Sequence, residues 1–273
     1  LIFITLLAKE KSMDLNLVGK SALVCGSTQG IGKAVAEELA SLGASVTLLA
    51  RNESKLKEVL EGLSSDNSQN HQYLVADFSQ PDNLKSIIES HVEKNTYHIL
   101  INNTGGPPAG QAITSELDAF RRAFEQHLIG NQILVQALVE GMKHNTYGRI
   151  INIISTSVKL PIPGLGVSNT IRGAVANWSK TLAGELGQFG ITVNNVLPGA
   201  TSTQRLSSII ENKASKLNKS VEEVEEEMKK EIPARRFADA AEVAAAVAFL
   251  ATPAAGYING INVPVDGGRT GCL

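Results

Sequence analysis

Ala22-Leu23-Val24-Cys25-Gly26-Ser27-Thr28-Gln29-Gly30-Ile31-Gly32 is the stretch that decides the fold. The apolar run Ala22–Cys25 reads as a buried strand and passes directly into a glycine-rich turn. Ile31, Val35, Leu39 and Leu42 then recur at helical spacing, and Gly43 marks the stop. Glycines in such a turn let the backbone approach a phosphate closely. The helix start adds free N–H groups and the positive end of its dipole. A structural turn is the plainer alternative. The strand–loop–helix order instead points to a dinucleotide pyrophosphate cradled by Gly26, Ser27, Thr28, Gln29, Gly30, Ile31 and Gly32.

The pattern repeats outward from this unit. Further apolar runs lie at Ser45–Leu49, Tyr73–Ala76, Ile99–Ile101, Arg149–Ile154, Thr192–Leu197 and Ile261–Val265, with helical stretches between them. Continuous rather than alternating apolar runs predict strands buried on both faces of a parallel sheet. The expected fold class is α/β: a single-domain, doubly wound Rossmann fold with a seven-stranded parallel sheet. The composition agrees, since 24 glycines and 4% aromatics suit tight turns and close backbone approaches. Residues 13–273 are assigned to this domain. Residues 1–12, with the apolar run Leu1–Ala8, are read as a non-native or disordered extension, too short to span a bilayer.

One segment breaks the rhythm. Residues 203–232 form a charged helical insertion with an apolar stripe at Leu217, Val221, Val224 and Met228, and Ser220 with Glu223 has capping-box spacing. It reads either as a solvated amphipathic helix or as a lid over a substrate cleft.

Composition excludes several function classes. Lys+Arg 25 against Asp+Glu 27 leaves a net charge of −2, so no basic surplus favours nucleic acid. Cys25 and Cys272 cannot build a disulfide framework or a zinc site. This suggests a reducing, cytoplasmic setting, and Cys25 reads as a small buried apolar residue. The five histidines form no metal-binding spacing, so no metal is expected.

Ends of later strands supply the rest of the cofactor site. The second strand ends at Arg51, which can pair with a phosphate where an acidic residue would repel one, favouring NADP(H) over NAD(H). A solvated surface charge is the alternative reading of Arg51. Asp77, followed by Phe78, ends the third strand, placed for an adenine amino group or, more plainly, for capping the next helix. Asn103, Thr104 and Gly105 end the fourth, where Gly105 leaves room for the cofactor.

These motifs resemble the classical short-chain dehydrogenase/reductase family, from about Lys20 to Gly268. Gly26–Gly32 is similar to the family's TGxxxGIG loop and Asn102-Asn103-Thr104-Gly105 to its NNAG. Gly148–Ser155 is similar to the strand that leads to the catalytic Ser. Pro198-Gly199, with Thr201 and Thr203, is similar to the PG motif on the nicotinamide side, and Val265-Asp266-Gly267-Gly268 to the C-terminal signature. The resemblance implies NADP(H) binding, a small-molecule carbonyl or alcohol substrate as for 3-oxoacyl-ACP reductases, and a homodimer or homotetramer with Trp178 and Phe189 in core or interface. It implies neither a nucleic-acid nor a membrane partner.

The catalytic set departs from the family. Ser155 is kept. Ser168 and Arg172 stand where the resemblance implies Tyr and Lys, and His127 stands where it implies Asn. An alcohol is a much poorer acid than a phenol. Arg172 stays charged and can bond ribose hydroxyls or stabilise an alkoxide. The sequence-based expectation makes His127 the group that titrates near neutrality and feeds protons through water; a satisfied core histidine is the other reading. Two functions follow: an NADP(H)-dependent oxidoreductase with a non-standard catalytic set, or a homologue that binds NADP(H) in a regulatory or structural role. The substrate pocket is expected between the loop Lys159–Gly164 and the lid.

Overall fold

The computed structural model describes residues 13–272, so the assignment of residues 1–12 lies outside the described residues. Seven strands form one parallel sheet: β1 (Ser21–Cys25), β2 (Ser45–Ala50), β3 (Gln72–Val75), β4 (Ile99–Asn102), β5 (Gly148–Ile153), β6 (Ile191–Pro198) and β7 (Asn262–Val265). Each matches its apolar run to within a residue. Their order is β3-β2-β1-β4-β5-β6-β7. The chain reverses direction across the sheet between β1 and β4, and a crevice opens at the carboxyl ends of strands beside such a switch point.

Helices cover both faces. α1 (Gly30–Ser41), α2 (Glu53–Glu61) and α9 (Ala240–Ala251) pack Val35, Leu39, Leu56, Val243 and Val247 against one. On the other lie α3 (Pro81–Val92), α5 (Gly130–His144) and α6 (Gly166–Leu186), through Leu84, Ile88, Leu134, Leu138 and Leu186. α4 (Leu117–Phe124) runs into α5 through a π-helical turn at Glu125–Ile129. α7 (Gln204–Leu217) and α8 (Val221–Lys230) make up the insertion. No helix among the described residues is long and apolar enough to cross a membrane.

Two expectations are corrected. β3 and β7 are half exposed rather than buried on both faces, because they are the sheet edges. The insertion is two helices, not one, since Asn218 adopts a left-handed φ of +52° between them. The proposed stripe therefore splits: Leu217 and Val221 are exposed, whereas Val224 and Met228 pack with Leu206, Ile210 and Ala214. The Ser220–Glu223 capping box forms.

The sheet interior carries a polar rung. Asn102, Asn152, Asn195 and Asn262 are in register on β4 to β7. Asn102 Nδ2 donates to Asn152 Oδ1 at 2.8 Å, Asn152 Nδ2 to Asn195 Oδ1 at 3.0 Å and Asn195 Nδ2 to Asn262 Oδ1 at 2.9 Å. Ser179 of α6 closes the set, accepting from Asn152 Nδ2 at 2.9 Å. Every amide of the rung finds a partner for at least one of its polar atoms, while Asn102 Oδ1, at the inner end, has none among the described residues.

Candidate active site

The glycine loop is a backbone cradle. Gly26 has φ +58°, a left-handed value, and a Cβ there would meet the Asn103 carbonyl oxygen at 2.5 Å. A Cβ at Gly32 would lie 2.2 Å from the Gly26 carbonyl oxygen. Asn103 Nδ2 donates to the Cys25 and Gly26 carbonyls at 3.2 and 3.3 Å, tying the end of β4 to the loop. Ser27 is fully buried, and its hydroxyl has no partner among the described residues. Thr28 is half buried and Gln29 is exposed at the N-cap of α1 without a side-chain cap bond. Ile31 packs onto the core beneath, so its side chain is structural. The close approach, the exposed Gln29 at the head of α1 and the orphaned hydroxyl fit a pyrophosphate laid across this turn. Cys25 is inert, its thiol pushed up to about 12 by burial.

At the far side of the crevice, Arg51 is exposed and its Nη1 lies 3.9 Å from Asp77 Oδ2, a weak exposed pair. Asp77 Oδ1 accepts from the Ser79 N–H at 2.9 Å; it shapes the turn rather than capping α3, whose N-cap is Gln80. Phe78 packs against α5, where a Cβ on Gly130 would meet its ring at 2.6 Å.

On the other side, nothing in the described protein lies within 4 Å of a Cβ placed on Gly105, so the space beside it is open. The Gly199 N–H bonds the Val265 carbonyl at 2.9 Å, and its Cβ position is filled by Asp266, so this glycine joins β6 to β7 beside Pro198. Thr201 is buried and bridges to Ala238. Thr203 caps α7, accepting from the Leu206 N–H, and its methyl lies 3.2 Å from a Cβ built on Gly30. The glycine loop and the start of α7 thus lie side by side.

The retained Ser155 and the departing Ser168, Arg172 and His127 come from three elements: the end of β5, α6 and the π-helical turn. Ser155 ends β5 and caps a short turn at Thr156–Val158, its Oγ accepting from the Ser157 N–H at 3.1 Å. Ser168 lies half buried in the first turn of α6, and Arg172 follows one turn later on the same face. Asn169 braces the loop Lys159–Gly164, donating to the Ile162 carbonyl at 2.9 Å. Arg172 is 7% exposed and donates to the carbonyls of Ile153 at 3.1 Å and Thr104 at 3.5 Å. Burial, with Arg205 adding to it, lowers its pKa to about 10, so it remains charged at neutral pH.

His127 overturns its expected role. It sits in the π-helical turn at 1% exposure, with Nδ1 2.5 Å from Thr104 Oγ1 and no partner on Nε2. Burial, then the Arg172 charge, depresses its pKa to about 3. It is a neutral imidazole at physiological pH and not a group titrating near 7. Nor is it a fully satisfied core histidine, since Nε2 is orphaned.

Sequence reading missed Arg205. It lies in the first turn of α7, 33 residues beyond Arg172, and donates from Nη2 to the Pro107 carbonyl at 2.9 Å. Its one sequence signal was a basic side chain two residues beyond the helix cap Thr203. Among the described residues, no cluster of His, Cys, Asp and Glu could hold a metal ion.

The chain is similar to known proteins along nearly its whole length. Residues 26–270 match the family described as enoyl-(acyl carrier protein) reductase. The NADPH-dependent reductase BacG of Bacillus subtilis is 30% identical over 91% of this chain and 97% of its own length. The 3-oxoacyl-[acyl-carrier-protein] reductase FabG of Haemophilus influenzae is 34% identical over 92% and 98%. The L-sorbose reductase of Gluconobacter frateurii, solved with NADPH and L-sorbose, superposes with a TM-score of 0.89 at 28% identity, covering 96% of this chain and 100% of that one. With the switch-point crevice, the glycine cradle and matches spanning nearly the whole chain, the protein belongs to the short-chain dehydrogenase/reductase family of oxidoreductases.

Proposed function

We propose that this chain is an NADP(H)-dependent oxidoreductase acting on a carbonyl or alcohol, in the manner of the 3-oxoacyl-ACP reductases it resembles, with a non-standard catalytic set. The observation that carries the reading is the buried, charged Arg172, held between the ends of β4 and β5 one turn after Ser168. Arg51 supports the choice of NADP(H), standing free enough to meet a 2′-phosphate. The names of BacG and of the sorbose reductase complex, both tied to NADPH, support it further.

When bound, the nicotinamide supplies or takes the hydride. The chain's own residues do the rest. Ser155 and Ser168 hydrogen-bond the carbonyl oxygen. Arg172 stabilises the alkoxide that forms as the carbonyl is reduced, and a fixed charge in a water-poor site is effective at this. It does not give up its proton, so solvent protonates the alkoxide oxygen by way of the Ser168 hydroxyl. His127 stays neutral and holds Thr104, whose carbonyl holds Arg172. The α7–α8 pair acts as a lid over the pocket beside Lys159–Gly164. Assembly is a homodimer or homotetramer, and the free Cys25 and Cys272 fit a cytoplasmic protein.

One observation favours a second reading. Neither His127 nor Arg172 changes protonation near pH 7, which suits a homologue that binds NADP(H) without turning it over. The test is NADPH and NADH titration, followed by NADPH consumption on β-ketoacyl thioesters, quinones and sugar ketones. Turnover on one class that is lost in Arg172→Ala supports the oxidoreductase. Tight NADPH binding with no turnover on any class supports the second reading.

A further inference from the structure

Two guanidinium groups meet beside Gly106. A methyl carbon built on that glycine would lie 3.7 Å from Arg205 Nη2 and 4.0 Å from Arg172 Nη2. One cation comes from α6 and the other from the first turn of the lid, and the backbone between them has no side chain. The hydrogen bonds formed by both go only to backbone carbonyls, those of Ile153, Thr104 and Pro107. Neither pairs with a carboxylate among the described residues. Arg172 feels Arg205 as a like charge, which lowers its pKa alongside burial.

Arg172 is buried with no counter-charge and Arg205 stands exposed beside it, so the electrostatic cost falls on Arg172, and an anion reaching in between the two removes it. Guanidinium forks match carboxylate geometry and form charge-assisted hydrogen bonds with it. The position separates this pair from the phosphate cradle. Arg172 is one turn past Ser168 and bonds the carbonyl two residues before Ser155, which is the reacting end of the crevice, whereas the cradle is the turn Gly26–Gly32.

We propose that Arg172 and Arg205 form a clamp for a small oxyanion on the substrate, so that the carbonyl compound reduced here carries a carboxylate or a group of like charge. The substrate assignment rests on the oxidoreductase reading above; the clamp itself does not. Because Arg205 belongs to α7, the anion also ties the lid to the body.

The test is calorimetric titration of the full chain with malonate and with dimethyl malonate, with and without saturating NADPH. Malonate binds the wild type in both states and the neutral diester does not. Arg205→Gln weakens malonate at least tenfold, Arg205→Lys recovers most of the loss, and Gly106→Ala weakens it by placing a methyl between the cations. Equal malonate affinity in wild type and Arg205→Gln overturns the clamp. Loss of malonate binding on NADPH saturation also overturns it, because the anion site is then the cofactor's own phosphate site. Clamp binding that behaves as stated, with NADPH oxidised neither by that panel nor by a set of 2-oxo and 3-oxo carboxylates added to it, supports the clamp and overturns the oxidoreductase reading instead.

Discussion

The Thr104 hydroxyl lies 2.5 Å from Nδ1 of His127, while the Thr104 carbonyl accepts from Arg172 at 3.5 Å. One threonine therefore joins a neutral imidazole to a buried cation. Burial is the main reason that His127 resists protonation, and the nearby Arg172 charge adds to it.

The first prediction is acid sensitivity. His127 has a folded pKa near 3 against an ordinary value of 6.5, so below 6.5 the unfolded chain binds the extra proton and the folded chain does not. Its contribution is fully present above pH 6.5 and is lost as pH falls toward 3, at up to about 1.4 kcal/mol per pH unit. His91 and His98 are shifted downward too, mainly by burial, and add to the slope. Urea midpoints should fall between pH 6.5 and 4.5, and His127→Asn should flatten the fall. Parallel curves for the two proteins would refute the assignment.

The second concerns the cofactor's 2′-phosphate. Arg51→Ala should weaken NADPH roughly tenfold, about 1.4 kcal/mol, consistent with one exposed charge-assisted contact. NADH affinity should change much less. Fluorescence titration of both nucleotides reads the difference.

The third tests the cradle. Gly32→Ala would force a methyl within 2.2 Å of the Gly26 carbonyl oxygen, which cannot be met without moving the loop. NADPH binding should drop by at least a hundredfold. A Kd within threefold of wild type would show that the loop relaxes freely.

The fourth concerns the asparagine rung. Asn152→Leu removes bonds to Asn102, Ser179 and Asn195, leaving buried polar atoms unpaired. At about 1–3 kcal/mol for each orphaned group after partial relaxation, a loss of about 3 kcal/mol is expected in urea unfolding. A change below about 1 kcal/mol would mean that the neighbours find other partners.

A fifth concerns charge at the reacting end. Arg172→Ala should lower kcat on any accepted substrate by about 10²–10³-fold, the scale of losing one preorganised electrostatic contact. Arg172→Lys should keep more of the rate. Steady-state NADPH oxidation measures both.

The sequence by itself determined the strand positions, the parallel order implied by strand–helix alternation, and the turn Gly26–Gly32. These depend on local steric rules and on apolar runs that only a two-sided sheet can bury. It also singled out Ser155, Ser168 and Arg172, through the positions that the family resemblance assigns to the reacting groups; helical spacing accounts only for the last two sharing a face. Edge exposure of β3 and β7 was not legible, since an apolar run does not state its place in the strand order. The left-handed Asn218 that splits the insertion was hidden behind a continuous charge pattern. Only the tertiary structure decided that His127 is neutral, that Asn102, Asn152, Asn195 and Asn262 share one rung, and that Arg205 meets Arg172. The physical reason is common to all three. A pKa and a polar contact depend on burial and on groups distant in sequence, and the helix that carries Arg205 reaches Gly106 only after the sheet has brought the ends of β4, β5 and β6 together.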